Sequence, residues 1–384
     1  MIPNNAFSHI DTAEYVSAGH PDRLADTIAE RLVEFAQTQS HPDFISRSLV
    51  GVEVAVHDGT VFVDGRMAID GKPVPVPFDA IVRRVFADAG HGEIWGPSPE
   101  SLEIIVRVCE EVLTPEEADI RPFSDDQNVV HGYAVARPET NFLPAAHWLA
   151  HRLGKAVQIF RTANPDRYGP DFKIFTDLED DGREVHWRRL VISLQHARGI
   201  DMETQHRDLI PVVRACLQEA EAGGLVGASE SFQPSHLHLN GAGDFVVGGP
   251  RGDNGLSGKK LVIDHYGPSV PIGGGALCGK DVWKVDRCGA LRARQLARRL
   301  VQSGHHQAMV TLGWAPGEDV PGLRDVKVQA GPHAPWQSLS EQELPEKEWF
   351  SISAIGQDLD LTRVSWSTLP ATGTFLDSSS PWEK

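Results

Sequence analysis

Residues 248–287 read GGPRGDNGLSGKKLVIDHYGPSVPIGGGALCGKDVWKVDR, and this is the most informative stretch of the chain. About a quarter of its residues are glycine, which lets backbone N–H groups approach an anion without interference from a Cβ atom. Point charges suited to phosphate oxygens come from Lys259, Lys260, Lys280 and Lys284. The stretch therefore predicts a binding site for a polyphosphate.

Within this stretch, residues 274–280 match the pattern G-x-x-x-x-G-K of a phosphate-binding loop. The next residue is Asp281, however, where such loops carry Ser or Thr for Mg²⁺. Asp281 and Asp286 are instead candidates to hold Mg²⁺ directly, since carboxylates are its usual protein ligands. We expect Lys280 and Lys284, four residues apart, to lie on one face of the opening turn of a helix and to reach one ligand.

The composition is typical of a globular protein with two or three domains. The chain has 384 residues, 41% of them hydrophobic, which is enough to bury a sizeable core. The formal net charge of −17 argues against a nucleic acid or an anionic membrane surface as the main partner. An anionic ligand must therefore be met by a local group of basic residues.

Cysteine usage and the first residues indicate the compartment. Cys109, Cys216, Cys278 and Cys288 are scattered and show no C-x-x-C spacing, as in a reducing environment. Residues 1–15 contain acids and no apolar segment of a signal peptide, and no run approaches 18 apolar residues. We therefore expect a cytoplasmic protein.

Local patterns predict a mixture of helices and strands. Helices are expected at 22–37, 79–88, 99–113, 143–158, 203–222 and 283–302. Strands are expected in a hairpin at 49–63 with its turn at Asp58-Gly59, at 171–177 and 184–194, in a second hairpin at 235–247, and at 259–265, 308–313 and 324–329. Residues 114–128 are interpreted as a loop, and the fold class is α+β or mixed α/β.

The motifs of the chain resemble those of the S-adenosylmethionine synthetase (methionine adenosyltransferase) family. The stretch 248–287 is similar to the family's GGP-x-GD-x-GL-[ST]-G-[RK]-K and GGGAF-[SC]-GKD-x-x-KVDR blocks, and residues 17–26 (SAGHPDRLAD) resemble its SEGHPDK helix start. Further matches follow in the family's order: Asp126-Gln127 with Gly132-Tyr133-Ala134, residues 170–173 (PDFK), residues 193–196 (SLQH) and residues 381–384 (PWEK).

The resemblance implies a reaction in which the sulfur of L-methionine attacks C5′ of ATP and expels the triphosphate, which is then hydrolysed to pyrophosphate and phosphate. It implies Mg²⁺ and K⁺ as cofactors. A departing triphosphate develops negative charge on its 5′ oxygen, so cationic donors fixed there stabilise the transition state more than the ground state. His20 and Lys173 suit that role.

Site residues follow from the same resemblance, position by position. The implied catalytic residues are His20, Lys173 and Lys280. The implied contacts to ATP and triphosphate are His20, Asp171, Lys173, Phe245, Asp253, Lys259, Lys260, Lys280 and Lys284. The implied contacts to the amino acid are Asp253, Lys284 and Asp126, with Arg66 at an altered position. The implied metal ligands are Asp22 and Asp286 for Mg²⁺ and Glu53 for K⁺.

The amino-acid end departs from the family pattern. Arg66 stands where the family has a Glu that helps hold the amino acid, so the charge is reversed. The family also has a long mobile loop before its DQ motif, where this chain has about a dozen residues. A closing loop excludes water and often sets turnover, so we expect altered capture of the amino acid.

For the fold, the resemblance implies three interleaved units related by a pseudo-threefold, each a small mixed sheet backed by helices. The expected units are 1–18 with 137–248, 19–113 with 249–288, which carries the triphosphate motifs, and 114–136 with 289–384. It also implies a homodimer or homotetramer with active sites at the subunit interface.

Three functional hypotheses remain open from the sequence. The first is a working adenosyltransferase that makes S-adenosylmethionine. The second is an enzyme that uses ATP with a different nucleophile, for instance an acidic one facing Arg66. The third is a non-catalytic regulatory or partner subunit.

Overall fold

The structure, a computed structural model, describes residues 9–39, 48–69 and 75–384. The first eight residues of the stretch 1–15, which bears on targeting, lie outside this range. In the part described, the strands are β1 (His9–Val16), β2 (Leu49–His57), β3 (Thr60–Ile69), β4 (Glu103–Val112), β5 (Asn128–Val135), β6 (Tyr168–Asp180), β7 (Val185–His196), β8 (Leu237–Leu239), β9 (Gly255–Leu256), β10 (Gln307–Trp314), β11 (Leu323–Gln329) and β12 (Gln337–Ser338). The α-helices are α1 (Pro21–Gln39), α2 (Phe78–Ala89), α3 (Pro115–Ile120), α4 (Ala145–Ala163), α5 (Met202–Ala222), α6 (Leu261–Asp264), α7 (Val285–Gln302), α8 (Ile352–Asp358) and α9 (Leu369–Thr372).

The strands form three four-stranded sheets with the orders β1-β6-β7-β8, β4-β3-β2-β9 and β12-β11-β10-β5. Each sheet combines antiparallel pairs, and the first two also contain one parallel pair, β7 with β8 and β3 with β4. Each sheet draws its strands from distant parts of the chain, since β1 pairs with β6 and β2 pairs with β9. The predicted mixed α+β class with three small sheets backed by helices is confirmed.

Two hydrophobic cores hold the sheets and helices together. One lies beneath the first sheet and contains Leu149 of α4, Phe172 of β6 and Leu209 of α5. The other is shared by the remaining sheets and joins Leu24 of α1 to Leu291 of α7. Helix α1 buries Leu24, Ile28 and Leu32, as its four-residue spacing predicts.

Most predicted elements are confirmed with small shifts of their ends. These are the helices α1, α2, α4, α5 and α7, the hairpin β2–β3 with its turn at Asp58-Gly59, and the strands β6, β7, β10 and β11. Within the described residues, no helix is both long enough and apolar enough to cross a bilayer.

The helix predicted at 99–113 is wrong, because the segment forms the strand β4. Its β-branched residues Ile104, Ile105 and Val106 favour a strand, and β3 offers a continuous parallel partner from Thr60 to Ile69. The charged residues of this segment lie on an exposed sheet edge. The loop predicted at 114–128 also contains a helix, α3, which begins with a capping box between Thr114 and Glu117.

Two strand predictions are also wrong. Of the hairpin predicted at 235–247, only β8 is a strand, and the side-chain amide of Asn240 bonds both the N–H and the carbonyl of Leu194 where a further strand would pair. The strand predicted at 259–265 is the one-turn helix α6, with local bonds from Asp264 N to Lys260 O and from His265 N to Leu261 O. A short apolar run does not distinguish a strand from a buried helical turn.

Candidate functional site

His20 lies where strand β1 gives way to helix α1. The preceding Ser17 bonds to β6 in three ways: its hydroxyl donates to Pro170 O at 2.8 Å and accepts from Phe172 N at 2.9 Å, and its N–H donates to Phe172 O at 3.0 Å. These bonds fix the start of α1 against the strand that carries Asp171 and Lys173. Residues more than 150 positions apart in the sequence thereby face one cavity.

The protonation of His20 follows from its neighbours. The N–H of Asp22 donates to His20 Nδ1 at 3.2 Å, so the ring proton of the neutral imidazole is on Nε2. Burial, followed by the charge of Lys173, lowers the pKa of His20 to about 3. In the ligand-free protein His20 is therefore a neutral N–H donor, and its expected role at the departing triphosphate stays a prediction. Asp253 Oδ2 lies 3.7 Å from this Nε2.

An open cavity of about 380 Å³ surrounds these groups. Its predicted site residues are His20, Asp171, Lys173, Phe245 and Asp253. Burial raises the pKa of Asp171 to about 6, while its Oδ2 accepts from Gly249 N at 2.7 Å. Among the described residues, Asp171 Oδ1 and His20 Nε2 have no hydrogen-bond partner although both are buried. Buried polar atoms without a partner are costly, so their presence in one cavity indicates a ligand.

Phe245 is fixed at the cavity by His196. The N–H of Phe245 donates to His196 Nε2 at 3.1 Å, and His196 N donates to Phe245 O at 2.9 Å. His196 belongs to the SLQH motif, and the motif alone assigns it no role. Its function is to hold the loop that presents Phe245.

Asp22 is surrounded by positive charge. Its side chain lies 2.6 Å from Lys260 Nζ and 3.6 Å from Lys259 Nζ, and it accepts from Leu256 N at 2.9 Å. Burial raises the pKa of Asp22, but the bonds from Lys260 and from Leu256 N more than offset this and leave it below its usual value. The first group of site residues is thus completed by Asp22, Lys259 and Lys260.

A second group contains Lys280, Lys284 and Asp286. Lys280 Nζ pairs with Asp286 Oδ1, and Lys284 Nζ pairs with Asp125 Oδ2. Contrary to the prediction, the two lysines do not share a helical turn: Lys280 forms a bridge with Gly51 of β2, and Lys284 is the N-cap of α7. They converge from a loop and a helix start instead.

The proposal that Asp281 holds Mg²⁺ is wrong in this structure. Its carboxylate pairs with Arg121, accepts from Val50 N at 3.0 Å and also accepts from Trp283 N at 3.0 Å. The side chain is buried, so these partners occupy it. Asp281 fixes the loop and leaves Asp286 as the acid of this group.

Arg66 and Glu53 lie on the outward face of the sheet β4-β3-β2-β9, beside the second group. Gly51 pairs with Arg66 on one side and with Lys280 on the other, and Glu53 is two residues further along β2. Arg66 is paired with two acids, Glu117 at 2.6 Å and Glu111 at 3.0 Å. Asp126 is exposed, whereas its neighbour Asp125 forms the ion pair with Lys284. The sequence alone does not distinguish these two acids.

The two groups are separate within one chain. In the described ranges, no hydrogen bond or ion pair joins a side chain of the first group to one of the second. Helix α1 runs between them: Asp22 is in the first group, whereas Glu30 accepts from Gly279 N, next to Lys280. Eight helical residues span about 12 Å. The two groups are therefore separate within one chain, and we refer to them below as the first and the second half-site.

Comparison with known proteins gives matches over most of the chain. Three family models match the chain: the N-terminal domain of S-adenosylmethionine synthetase over residues 8–111, its central domain over 123–245 and its C-terminal domain over 247–384.

Similar full-length proteins carry the same description. The chain is 30% identical to an S-adenosylmethionine synthase of Lacticaseibacillus casei, over 98% of this chain and 96% of that protein. It is 30% identical to one of Thermus thermophilus, over 97% of this chain and 95% of that protein. In fold it is similar to an S-adenosylmethionine synthetase from Campylobacter jejuni described as unusual, with a TM-score of 0.79 and 24% identity over 98% and 97% of the two chains.

Proposed function

The chain belongs to the S-adenosylmethionine synthetase family, and we propose that it transfers the adenosyl group of ATP to the sulfur of L-methionine, giving S-adenosylmethionine. We further propose that the triphosphate is hydrolysed to pyrophosphate and phosphate before release. The observation that carries the proposal is the pair formed by His20 and Lys173, two nitrogen donors that line one cavity.

These two residues suit the departing end of the nucleotide. When the bond between C5′ and the 5′ oxygen breaks, negative charge develops on that oxygen, and donors already fixed there stabilise the transition state. The neutral Nε2–H of His20 donates a hydrogen bond, and Lys173 supplies a full positive charge. The sulfur of methionine needs no general base, because a thioether has no proton to lose.

Four lysines suit the triphosphate. Lys259 and Lys260 belong to the first half-site, and Lys280 and Lys284 belong to the second. In the ligand-free protein each of them has a carboxylate or amide oxygen nearby. An entering polyphosphate would exchange these partners for phosphate oxygens, which are strong acceptors for ammonium groups.

We propose that the two half-sites meet across a dimer interface, so that a homodimer is the minimal active form and a tetramer is compatible with it. The outward face of the sheet β4-β3-β2-β9 supports this. An apolar row crosses the sheet in register: Leu256, Ala55, Phe62 and Ile105. Leu256 and Phe62 are exposed, as expected of a face that another chain covers.

For the metal ions that this family uses, we propose Mg²⁺ at Asp22 and Asp286 and K⁺ at Glu53. The residues fit Mg²⁺, since the carboxylates of Asp22 and Asp286 lie beside Lys260 and Lys280, two of the lysines proposed to bind the triphosphate, and carboxylates together with phosphate oxygens are usual ligands of Mg²⁺. No group of three or more acidic, histidine or cysteine ligands occurs among the described residues, so phosphate oxygens and water would supply the remaining ligands. Bound there, Mg²⁺ would neutralise the charge of the triphosphate.

For the amino acid we propose contacts from Asp253, Lys284 and Asp126, with Arg66 nearby. Asp253 is half exposed beside His20, where it can accept a bond from an ammonium group. Arg66 is already balanced by two carboxylates, so it is not a free cation for an acidic nucleophile. This favours methionine over an acidic substrate. We propose the cytoplasm as the place of this reaction.

One incubation tests the function. The protein is mixed with ATP, Mg²⁺, K⁺ and L-methionine, and S-adenosylmethionine, phosphate and pyrophosphate are measured by mass spectrometry. We expect all three products, and their loss when a chelator is added or when Lys173→Ala replaces the wild type. The exposed Lys155→Ala is the control and should stay active.

Other outcomes distinguish the alternatives. Release of phosphate and pyrophosphate without the sulfonium product would indicate a different nucleophile. Binding of ATP without any turnover, tested by calorimetry and across a panel of thioethers, thiols and amines, would indicate a non-catalytic subunit.

A further inference from the structure

His91 is a buried histidine that no motif of the sequence singles out. It follows Gly90, the left-handed residue that ends α2, and is 5% exposed. Its Nε2 lies 2.9 Å from the carbonyl oxygen of Gly19, and its Nδ1 lies 3.2 Å from that of Trp95. Both partners are acceptors, so at least one ring nitrogen must carry a proton, and the shorter contact assigns it to Nε2.

The ring also touches the loop that carries Asp253. Gly249 has φ +62°, and a Cβ built on it would lie only 2.6 Å from His91 Cε1. The N–H of Gly249 donates to Asp171, and its carbonyl accepts from Gly252 N and Asp253 N. His91 therefore lies between the two backbone segments that orient His20, Asp171 and Asp253.

We propose that His91 is a positioning residue for the adenosyl transfer: its hydrogen bond to Gly19 O and its packing on Gly249 aim His20 and Asp253 at one point in the cavity. Gly19 O belongs to the peptide group that leads directly into His20. A shift of this peptide turns the His20 ring, and a misplacement of about 1 Å in a reactive arrangement can cost on the order of 100-fold in rate. The inference rests on the proposed function.

The surroundings hold His91 firmly enough for this role. Its ring lies against Phe86, with 5.6 Å between centroids. Trp95 Nε1 donates to Pro165 O at 2.6 Å, and Gly92 N donates to Trp95 O at 3.0 Å. Arg161 donates to Ala89 O from α4, which fixes the end of α2. The turn that bears His91 is thus tied to α4 and to the loop that follows it.

Two substitutions separate the hydrogen bond from the packing. His91→Phe keeps a ring but removes the donor, whereas the amide of His91→Gln can still donate at the position of Nε2. We expect His91→Phe to lower kcat roughly tenfold or more with little change in KM for ATP, and His91→Gln to stay within about threefold of the wild type. The exposed His57→Phe is the control.

A wild-type kcat in His91→Phe would overturn the proposal, and so would an equal loss in both variants, since the donor that His91→Gln keeps would then make no difference. If His91→Phe does not fold, His91→Asn replaces it. The shorter side chain of Asn can donate toward Trp95 O but does not reach Gly19 O. We therefore expect His91→Asn to lose the activity that His91→Gln keeps.

A second measurement needs no turnover and separates this inference from the proposed function. The NMR signals of the His20 ring should shift in His91→Phe and stay near their wild-type positions in His91→Gln. Unchanged signals in both variants would refute the positioning role even if the protein made no S-adenosylmethionine.

Discussion

The guanidinium of Arg66 lies 2.6 Å from a carboxylate oxygen of Glu117, and this ion pair ties strand β3 to helix α3. Glu111 of β4 adds a second carboxylate at 3.0 Å. Helix α3 lies in the segment 114–128 that the sequence predicts as a loop. Arg66 thus holds a short helix against the outward face of the sheet.

Removal of this arginine should affect the amino acid more than the nucleotide. The pair is partly exposed, and such pairs contribute up to about 1 kcal/mol, equivalent to about fivefold in a binding constant. We expect Arg66→Ala to raise KM for methionine by up to about fivefold and to leave KM for ATP unchanged in steady-state kinetics. Arg107→Ala, on the adjacent strand of the same sheet, is the control. Equal changes in both constants would contradict the assignment.

The neutral state of His20 should be visible in the pH dependence of stability. Its pKa is lowered from 6.5 to about 3, chiefly by burial, so between these values the unfolded chain binds a proton that the folded protein does not. The contribution of His20 to stability is therefore present above about pH 6.5 and decreases as the pH falls toward 3. We expect the urea midpoint of the wild type to fall more steeply from pH 6.5 to 4 than that of His20→Gln. The exposed His57→Gln should follow the wild type, and parallel curves for all three proteins would disprove the prediction.

Shared sites should permit complementation between inactive variants. Lys173→Ala damages the first half-site and Lys280→Ala the second, so a mixed dimer holds one intact site and one with both changes. Random pairing of equal amounts gives half mixed dimers, so we expect about a quarter of the wild-type activity after the two proteins are unfolded and refolded together. Each variant refolded alone is the control. No recovery in the mixture would mean that each chain contains its own complete site.

The buried pair between Arg294 and Glu383 should be among the costliest to break. Both side chains are fully buried and lie 2.8 Å apart, and Glu383 also accepts from Asn141. Replacement of Arg294 leaves Glu383 with the longer ion pair to Arg298, at 3.3 Å, and breaking a buried ion pair typically costs about 3–5 kcal/mol. We expect Arg294→Met to lose this amount in urea unfolding. Arg299 lies on the same helix and is exposed, so Arg299→Met should lose less than about 1 kcal/mol, and equal losses would argue against the pair.

Elements with local signals could be predicted from the sequence. Helix α1 has a proline at its first position and leucines at helical spacing, and the hairpin β2–β3 has Asp58-Gly59 at its turn. Strand β4 and helix α6 were predicted wrongly because their short apolar runs suit either state. Strand β4 exists because β3 pairs with it in parallel, a contact that no local pattern reveals.

The sequence predicts the site residues that belong to a motif. It does not predict contacts between residues that only the folded chain brings together. His20, Asp171, Lys173 and Asp253 do share one cavity. The capture of Asp281 by Arg121 could not be predicted, since 160 positions separate these residues. The role of His91 could not be predicted for the same reason, because its partners Gly19 and Gly249 lie far from it in the sequence.

The pairing of distant strands has a consequence for how the chain reaches its native state. Strand β1 pairs with β6, β2 with β9, and β5 with β10. Each sheet is therefore complete only after a long intervening stretch of the chain has been synthesised. The chain loses the entropy of closing these long loops before it gains the contacts that compensate for the loss, and this makes folding slow. Partly made chains would expose unpaired strand edges during this time. We therefore expect this protein to depend on chaperones during synthesis more than a fold of the same size whose strands pair with their neighbours.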